Sequence, residues 1–150
     1  MKILIVSGFL GAGKTTFIKR LARNVDQRFA ILENEYGAAG IDGARLGQNR
    51  QGTQKNVWEM TEQCICCIGK KDFAASVLTI ANVVGPEYLI VEPTGVGSLA
   101  RIIENLRQIE YERIQLLSPV TIVDVYSYRR YMAEYPELYQ DQIRSADTII

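Results

Sequence analysis

The sequence predicts an α/β fold, a mostly parallel sheet with helices on both faces, and three observations carry that expectation. Residues 3–6, 29–32, 88–91 and 120–123 are short β-branched and aliphatic runs, nearly continuous rather than alternating, as in strands buried on both faces. Between them apolar residues recur at helical spacing: Phe17, Ile18, Leu21 and Val25; Phe73, Val77, Ile80 and Val84; Leu99, Ile102, Ile103, Leu106 and Ile109. The resulting order, strand then helix then strand, is that of parallel strands joined by crossover helices. Two stretches break the rhythm. Residues 35–54 are polar and Gly-rich with little periodicity, longer than the usual connection and so functional or disordered. Residues 145–150 open like another buried strand, from which a longer natural protein is expected, with residues 1–150 as one C-terminally truncated domain.

Bulk properties narrow the class. A chain of 150 residues, 47% hydrophobic, can bury one core, so a single soluble domain is expected. Lys plus Arg equals Asp plus Glu, 17 each, so net charge supplies no attraction for nucleic acid or an anionic membrane. No run approaches the ~18 apolar residues of a membrane span, and Lys2 leads into a strand-like run without a signal-peptide cleavage site. A cytoplasmic location is expected. All three cysteines fall at Cys64, Cys66 and Cys67, which suits metal or redox chemistry better than a disulfide framework.

The strongest local signal is Gly8-Phe9-Leu10-Gly11-Ala12-Gly13-Lys14-Thr15, a match to G-x-x-x-x-G-K-[ST] placed directly after a strand and before a helix. The glycines permit a tight loop with inward-pointing N–H groups, and the following helix adds its positive N-terminal end. Lys14 would reach the β and γ phosphates, and Thr15 would ligate Mg²⁺. An incidental Gly-rich turn is the plain alternative, and the flanking strand and helix argue against it. The second half of such a site is a carboxylate at the end of a neighbouring strand, with a glycine that senses the γ-phosphate. Glu92-Pro93-Thr94-Gly95 follows the run 88–91 and supplies both. Its competing reading is an exposed loop glutamate beside a turn-forming proline.

Cys64-Ile65-Cys66-Cys67 places three thiols in one loop. Thiolates are soft ligands suited to Zn²⁺ or a similar late metal, and Gly69 could permit the turn that convergence requires. The chain has no histidine, so a fourth ligand must be a carboxylate, a water or a residue beyond 150; Glu33 is the preferred carboxylate. A Cys64/Cys67 redox pair and inert packing remain the other readings. Tyr126, Tyr128, Tyr131, Tyr135 and Tyr139, with Arg129 and Arg130, could stack on nucleic acid, but their spacing equally fits one or two amphipathic helices packing on the sheet, the favoured reading. Trp58, with Val57 and Met60, reads as a short strand or hairpin before the cysteines, and Asp124 as a strand-end carboxylate serving either the nucleotide or a structural hydrogen bond.

Taken together, Gly8-Phe9-Leu10-Gly11-Ala12-Gly13-Lys14-Thr15-Thr16, Glu33-Asn34-Glu35-Tyr36-Gly37, Gly40-Ile41-Asp42, Cys64-Ile65-Cys66-Cys67, Glu92-Pro93-Thr94-Gly95 and Thr121-Ile122-Val123-Asp124 closely resemble the CobW-type GTPases of the SIMIBI class, in that family's order from about residue 3 to residue 150. The resemblance implies a metallochaperone GTPase that couples GTP binding and hydrolysis to metal delivery. The recipient would be a client metalloprotein or cofactor-insertion machinery in cobalamin, zinc or iron metabolism. It implies that Gly11 to Thr16 hold the phosphates of GTP or GDP, that Thr15, Asp42 and Glu92 surround Mg²⁺, and that Cys64, Cys66 and Cys67 with Glu33 carry Zn²⁺, Co²⁺ or Fe²⁺. Lys14, Thr15 and Glu92 are the expected catalytic residues, and a nucleotide-dependent dimer is a further expectation. Residues 35–63 would couple the two sites if the γ-phosphate orders them and hydrolysis releases them.

The chain also departs from the family pattern. Glu62-Gln63 stands where the family usually has Asn-Gly, so Glu62 could join the ligands. The guanine-reading Asn-Lys-x-Asp motif is expected just past Ile149-Ile150, so GTP rather than ATP rests on the resemblance, as does a C-terminal domain. Without an evident arginine finger or water-orienting glutamine, hydrolysis is expected to be slow. A P-loop ATPase or kinase with a structural zinc clip, and a nucleotide-binding redox or metal sensor, stand as the alternatives.

Overall fold

The computed structural model describes residues 1–25, 27–33, 57–61 and 70–150, with residues 57–61 and 70–72 described by their backbone alone. The elements in chain order are β1 (Lys2–Gly8), α1 (Lys14–Asn24), β2 (Phe29–Glu33), β3 (Val57–Thr61), α2 (Lys70–Thr79, prolonged by one wider turn over Ile80–Val84), β4 (Tyr88–Glu92), α3 (Leu99–Arg107), β5 (Gln115–Leu116), β6 (Val120–Ile122), α4 (Tyr128–Glu134), α5 (Pro136–Arg144) and β7 (Thr148–Ile149). The seven strands form one sheet in the order β3-β2-β4-β1-β6-β7, with β5 pairing beside the start of β1. Every pairing among the described strands is parallel. The expected fold class is therefore the observed one.

Strands buried on both faces need apolar residues at consecutive positions, and the two core clusters show why. Ile3 and Ile5 of β1, Ala30 and Leu32 of β2, and Leu89 and Val91 of β4 pack on one face with Phe73, Val77 and Ile80 of α2 and Leu99, Ile102, Ile103 and Leu106 of α3. The alternate residues Leu4, Val6, Phe29, Ile31 and Ile90 pack on the other face with Ile18, Leu21 and Ala22 of α1. Successive side chains of a strand point to opposite faces, so near-continuous apolar runs are what a covered sheet demands.

The expected elements recur with small shifts at their ends. Val25 lies just past α1, where its N–H still donates to Leu21 O at 3.1 Å. Ile109 lies beyond α3 yet packs against the same core. The segment around Trp58 is a strand rather than half of a hairpin: β3 lies parallel to β2 at the sheet edge, Ala30 opposite Trp58. The start of a strand expected near residue 150 is β7, parallel to β6. The short β5 is not among the strands expected from sequence. Among the described residues no helix is long and apolar enough to cross a membrane. The long polar stretch 35–54, the segment 62–69 and the coupling role expected of 35–63 lie outside the described residues, apart from β3 itself.

Connections decide where a site can form. From β1 the chain turns through α1 on one face, whereas from neighbouring β4 it turns through α3 on the other. The carboxyl ends of β1 and β4 thus flank a topological switch point, the crevice where ligands of open parallel sheets bind. The β1–β4 pair must stay rigid for that crevice to persist. Leu89, fully buried in β4 between β2 and β1, is a direct probe of it. Leu89→Ala should destabilise the protein by about 2–5 kcal/mol, read as a lowered urea midpoint with unchanged slope.

Candidate functional site

Gly8 ends β1 beside Ile122 of β6, and the loop that follows reaches α1 through Gly11 at φ 75° and Gly13 at φ 98°. Gly13 is the N-cap of α1 in a left-handed conformation that residues with a Cβ rarely adopt. No side chain caps this helix start, and its first turn holds no acidic residue. Its first N–H groups and the positive end of its dipole are thus turned to the loop, an arrangement suited to an anion. Ala12 N–H donates back to Phe9 O at 3.2 Å, closing the loop on itself. Lys14 is buried at 8% exposure, its Nζ donating to Phe9 O at 3.4 Å, so the ammonium curls back over the loop. Thr15 and Thr16 stand exposed in the first turn of α1.

Glu92 ends β4 and is buried at 9% exposure. Thr15 Oγ1 donates to Glu92 Oε1 at 3.0 Å, joining residues far apart in sequence. A hydroxyl and a carboxylate in contact beside the helix N-terminus form a hard-oxygen pair of the kind that holds Mg²⁺ next to phosphate. The turn after Glu92 lies directly on the loop. A Cβ built at Gly95 would sit 2.7 Å from Leu10 N and 3.0 Å from Phe9 C, so only glycine lets these two backbones touch. Glu33, half-buried at the end of β2, is the register partner of Glu92, and the two side chains leave the α1 face of the sheet at the same level.

A supporting layer holds the loop from the β6 side. The Phe9 ring, 2% exposed, is surrounded by Tyr131, Tyr135 and Tyr139, with centroid separations of 4.3, 5.4 and 5.5 Å. Tyr131 OH also donates to Leu10 O at 3.4 Å. The tyrosine-rich stretch is two helices packed on the loop, as the packing reading expects, with one correction: Tyr126 is 99% exposed, since it precedes α4 in the connecting turn. Burial pushes the Tyr139 phenol above its ordinary value, with Tyr128, Asp124 and Tyr131 adding to the shift. Asp124 makes local hydrogen bonds: Ser127 Oγ donates to Oδ2 at 2.7 Å and Tyr126 N–H to Oδ1 at 3.1 Å.

Of the residues singled out from sequence, Gly8, Gly11, Ala12, Gly13, Lys14, Thr15, Thr16, Glu33 and Glu92 gather at one edge of the sheet. Asp42, Glu62, Cys64, Cys66, Cys67 and Gly69 lie outside the described residues, and no cluster of three Cys, Asp or Glu forms among the described ones. Sequence reasoning missed Asp141 and Gln142 of α5, which contact the segment after Glu92. The available signal was an uncharged polar residue one turn after Tyr139, on the face of α5 that turns inward.

A parallel sheet with a glycine-rich phosphate loop at its switch point, answered by a carboxylate from the adjacent strand, defines a P-loop nucleotide-binding domain. A family model described as CobW/HypB/UreG, nucleotide-binding domain, matches residues 2–150, and the chain belongs to that family. Among its relatives, the zinc chaperone YeiR of Escherichia coli is 32% identical over 149 residues, covering 97% of this chain and 44% of YeiR. The zinc-regulated GTPase metalloprotein activator 1 of Dictyostelium discoideum is 29% identical over 145 residues, 83% of this chain and 30% of that protein. The crystal structure of Zn(II)-bound YjiA GTPase from E. coli superposes with a TM-score of 0.68 at 21% identity, covering 99% of this chain and 48% of that one, a likeness of fold. The chain spans less than half the length of each.

The hydrogen bonds from Ser127 and Tyr126 hold the Asp124 carboxyl below its ordinary 3.8. A depressed folded-state value contributes stability that is present above 3.8 and lost as pH falls through the folded value. Asp124→Asn should therefore flatten the acid limb of the stability–pH profile below that point and leave the profile near neutrality parallel to wild type, measured by urea unfolding at stepped pH.

Proposed function

We propose that this chain is the GTP-binding and slowly hydrolysing domain of a cytoplasmic metal chaperone, in which nucleotide state governs the uptake and release of a metal cargo. The observation that carries this reading is the 3.0 Å bond from Thr15 to Glu92, which brings the phosphate loop and the carboxylate of the neighbouring strand into one site. Names of relatives support the rest: zinc chaperone, and zinc-regulated GTPase metalloprotein activator.

In this reading the N–H groups of residues 11–16 and the Lys14 ammonium take the phosphates, while Thr15 and Glu92, with Asp42, hold Mg²⁺. The bound Mg²⁺ would neutralise charge on the β and γ phosphates during attack by water. The chain's own contribution is placement: Lys14 is desolvated beside Phe9 O, where its charge acts at greater strength than in water. The cargo, Zn²⁺ or a similar soft-ligand cation, is assigned to Cys64, Cys66 and Cys67 with Glu33. Glu33 lies opposite Glu92 in register, so the strand end serving the cargo neighbours the strand end serving Mg²⁺. That adjacency is a short physical path between the two ions. Delivery to a client metalloprotein follows from the same reading.

Calorimetric titration tests the nucleotide half. Lys14→Ala should lower affinity for Mg-GTP about 10- to 100-fold, the loss of a charge-assisted contact, with an unchanged melting temperature; wild-type affinity in the variant would remove the phosphate assignment, and tighter binding of ATP than GTP would remove the base assignment. Zn²⁺ titration of the reduced protein tests the cargo half. Binding should fall in Cys66→Ala and shift between GDP and a non-hydrolysable GTP analogue, and by linkage Zn²⁺ must then shift nucleotide affinity equally. Zn²⁺ binding indifferent to nucleotide would reduce the cysteines to a static clip.

A further inference from the structure

Gln142 is only 1% exposed, in a helix face that otherwise buries Tyr139. Its amide nitrogen is committed to one turn of chain: Nε2 donates to Gly95 O at 3.0 Å and to Gly97 O at 3.2 Å, while Oε1 is buried with no hydrogen-bond partner among the described residues. Both partners are carbonyls, so the nitrogen end of the amide must face them. The residue is itself pinned, because Thr121 Oγ1 of β6 donates to Gln142 O at 2.8 Å. The adjacent Asp141 grips the same segment further along, Oδ2 accepting from Leu99 N at 2.7 Å and Ala100 N at 3.4 Å at the start of α3. Two consecutive residues of α5 thus bind carbonyls and N–H groups of the chain that follows Glu92. On its other side that chain lies against the phosphate loop at Gly95, where no Cβ fits.

We propose that Gln142, seconded by Asp141, is a positioning residue for recognition of the terminal phosphate: it holds residues 95–97 against the phosphate loop, and thereby sets how strongly the site prefers a nucleoside triphosphate over a diphosphate. The proposal rests on reading the P-loop as the nucleotide site and deepens it. The physical reason is order. A glycine turn freed from its two carbonyl contacts samples many conformations, and the contact specific to a third phosphate must then recover that lost order on binding. A diphosphate, held by the loop and the start of α1, does not call on the turn.

The test titrates the intact protein with GDP and with a non-hydrolysable GTP analogue, each with Mg²⁺, in wild type, Gln142→Met and Lys14→Ala. Methionine keeps the volume and removes both donors. In Gln142→Met the analogue should bind at least tenfold more weakly while GDP affinity stays within twofold of wild type, and kcat for GTP should fall in step. An unchanged ratio of the two affinities, whether both are retained or both fall together, means that Gln142 only supports the fold, and overturns the proposal. Folded wild type binding neither nucleotide, or Lys14→Ala binding like wild type, overturns the P-loop reading and the proposal with it. Where Gln142→Met is too unstable to titrate, Asp141→Asn is read the same way: an isosteric change at a half-buried position, with an expected threefold shift in the ratio, and no shift overturns the proposal.

Discussion

The hydrogen bond between Thr15 and Glu92 and the backbone contact of Gly95 with Phe9 and Leu10 are the constraint on which the rest of the structure depends. Both join the loop and helix start that follow β1 to the chain at the end of β4, two strands that are neighbours in the sheet and distant in sequence. Such contacts survive only if the two strands beneath them do not slide. That is secured by burying β1 and β4 on both faces, with Ile3, Ile5, Leu89 and Val91 toward α2 and α3, and Val6 and Ile90 toward α1. A one-residue slip would exchange the face of every one of those side chains. The apolar core therefore acts on function through register: it sets the height at which Thr15 meets Glu92.

Around that constraint several polar side chains are directed at loop backbone. The bonds that place the loops run from side chain to main chain: Lys14 to Phe9, Tyr131 to Leu10, Gln142 to Gly95 and Gly97, Asp141 to Leu99 and Ala100. Loop backbone cannot satisfy itself by a ladder, so each buried segment needs such partners. The Phe9 ring adds an apolar anchor in a nest of tyrosines, fixing the loop on the side that α1 does not cover. A loop held in this way loses little freedom on meeting its ligand, which is how preorganisation strengthens binding.

The same layout gives a physical setting for linking nucleotide to metal. Glu33 and Glu92 are register partners on adjacent parallel strands, where backbones lie about 4.8 Å apart. A charge brought to one strand end is felt at the other within a Debye length of about 10 Å. In the proposed function that proximity would relate cargo to nucleotide without long-range machinery.

By itself the sequence determined the class of fold, the place of the glycine-rich loop and the strand-end carboxylate, because each is written in contiguous residues: unbroken apolar runs for doubly covered strands, glycines at fixed spacing for the loop, Glu92-Pro93-Thr94-Gly95 at the end of such a run. It left the tyrosines undecided between a stacking platform and packing, since spacing reports which residues share a helix face and not what that face meets. Tertiary structure decided that Tyr131, Tyr135 and Tyr139 close on Phe9, that Tyr126 stays in solvent, and that the segment around Trp58 adds as a parallel edge strand. It alone brought Asp141 and Gln142 to the chain after Glu92. Those contacts join residues more than forty positions apart whose partners are main-chain atoms, and main-chain groups are the same at every position, so the side-chain pattern could mark Gln142 as facing inward but could not name its partners.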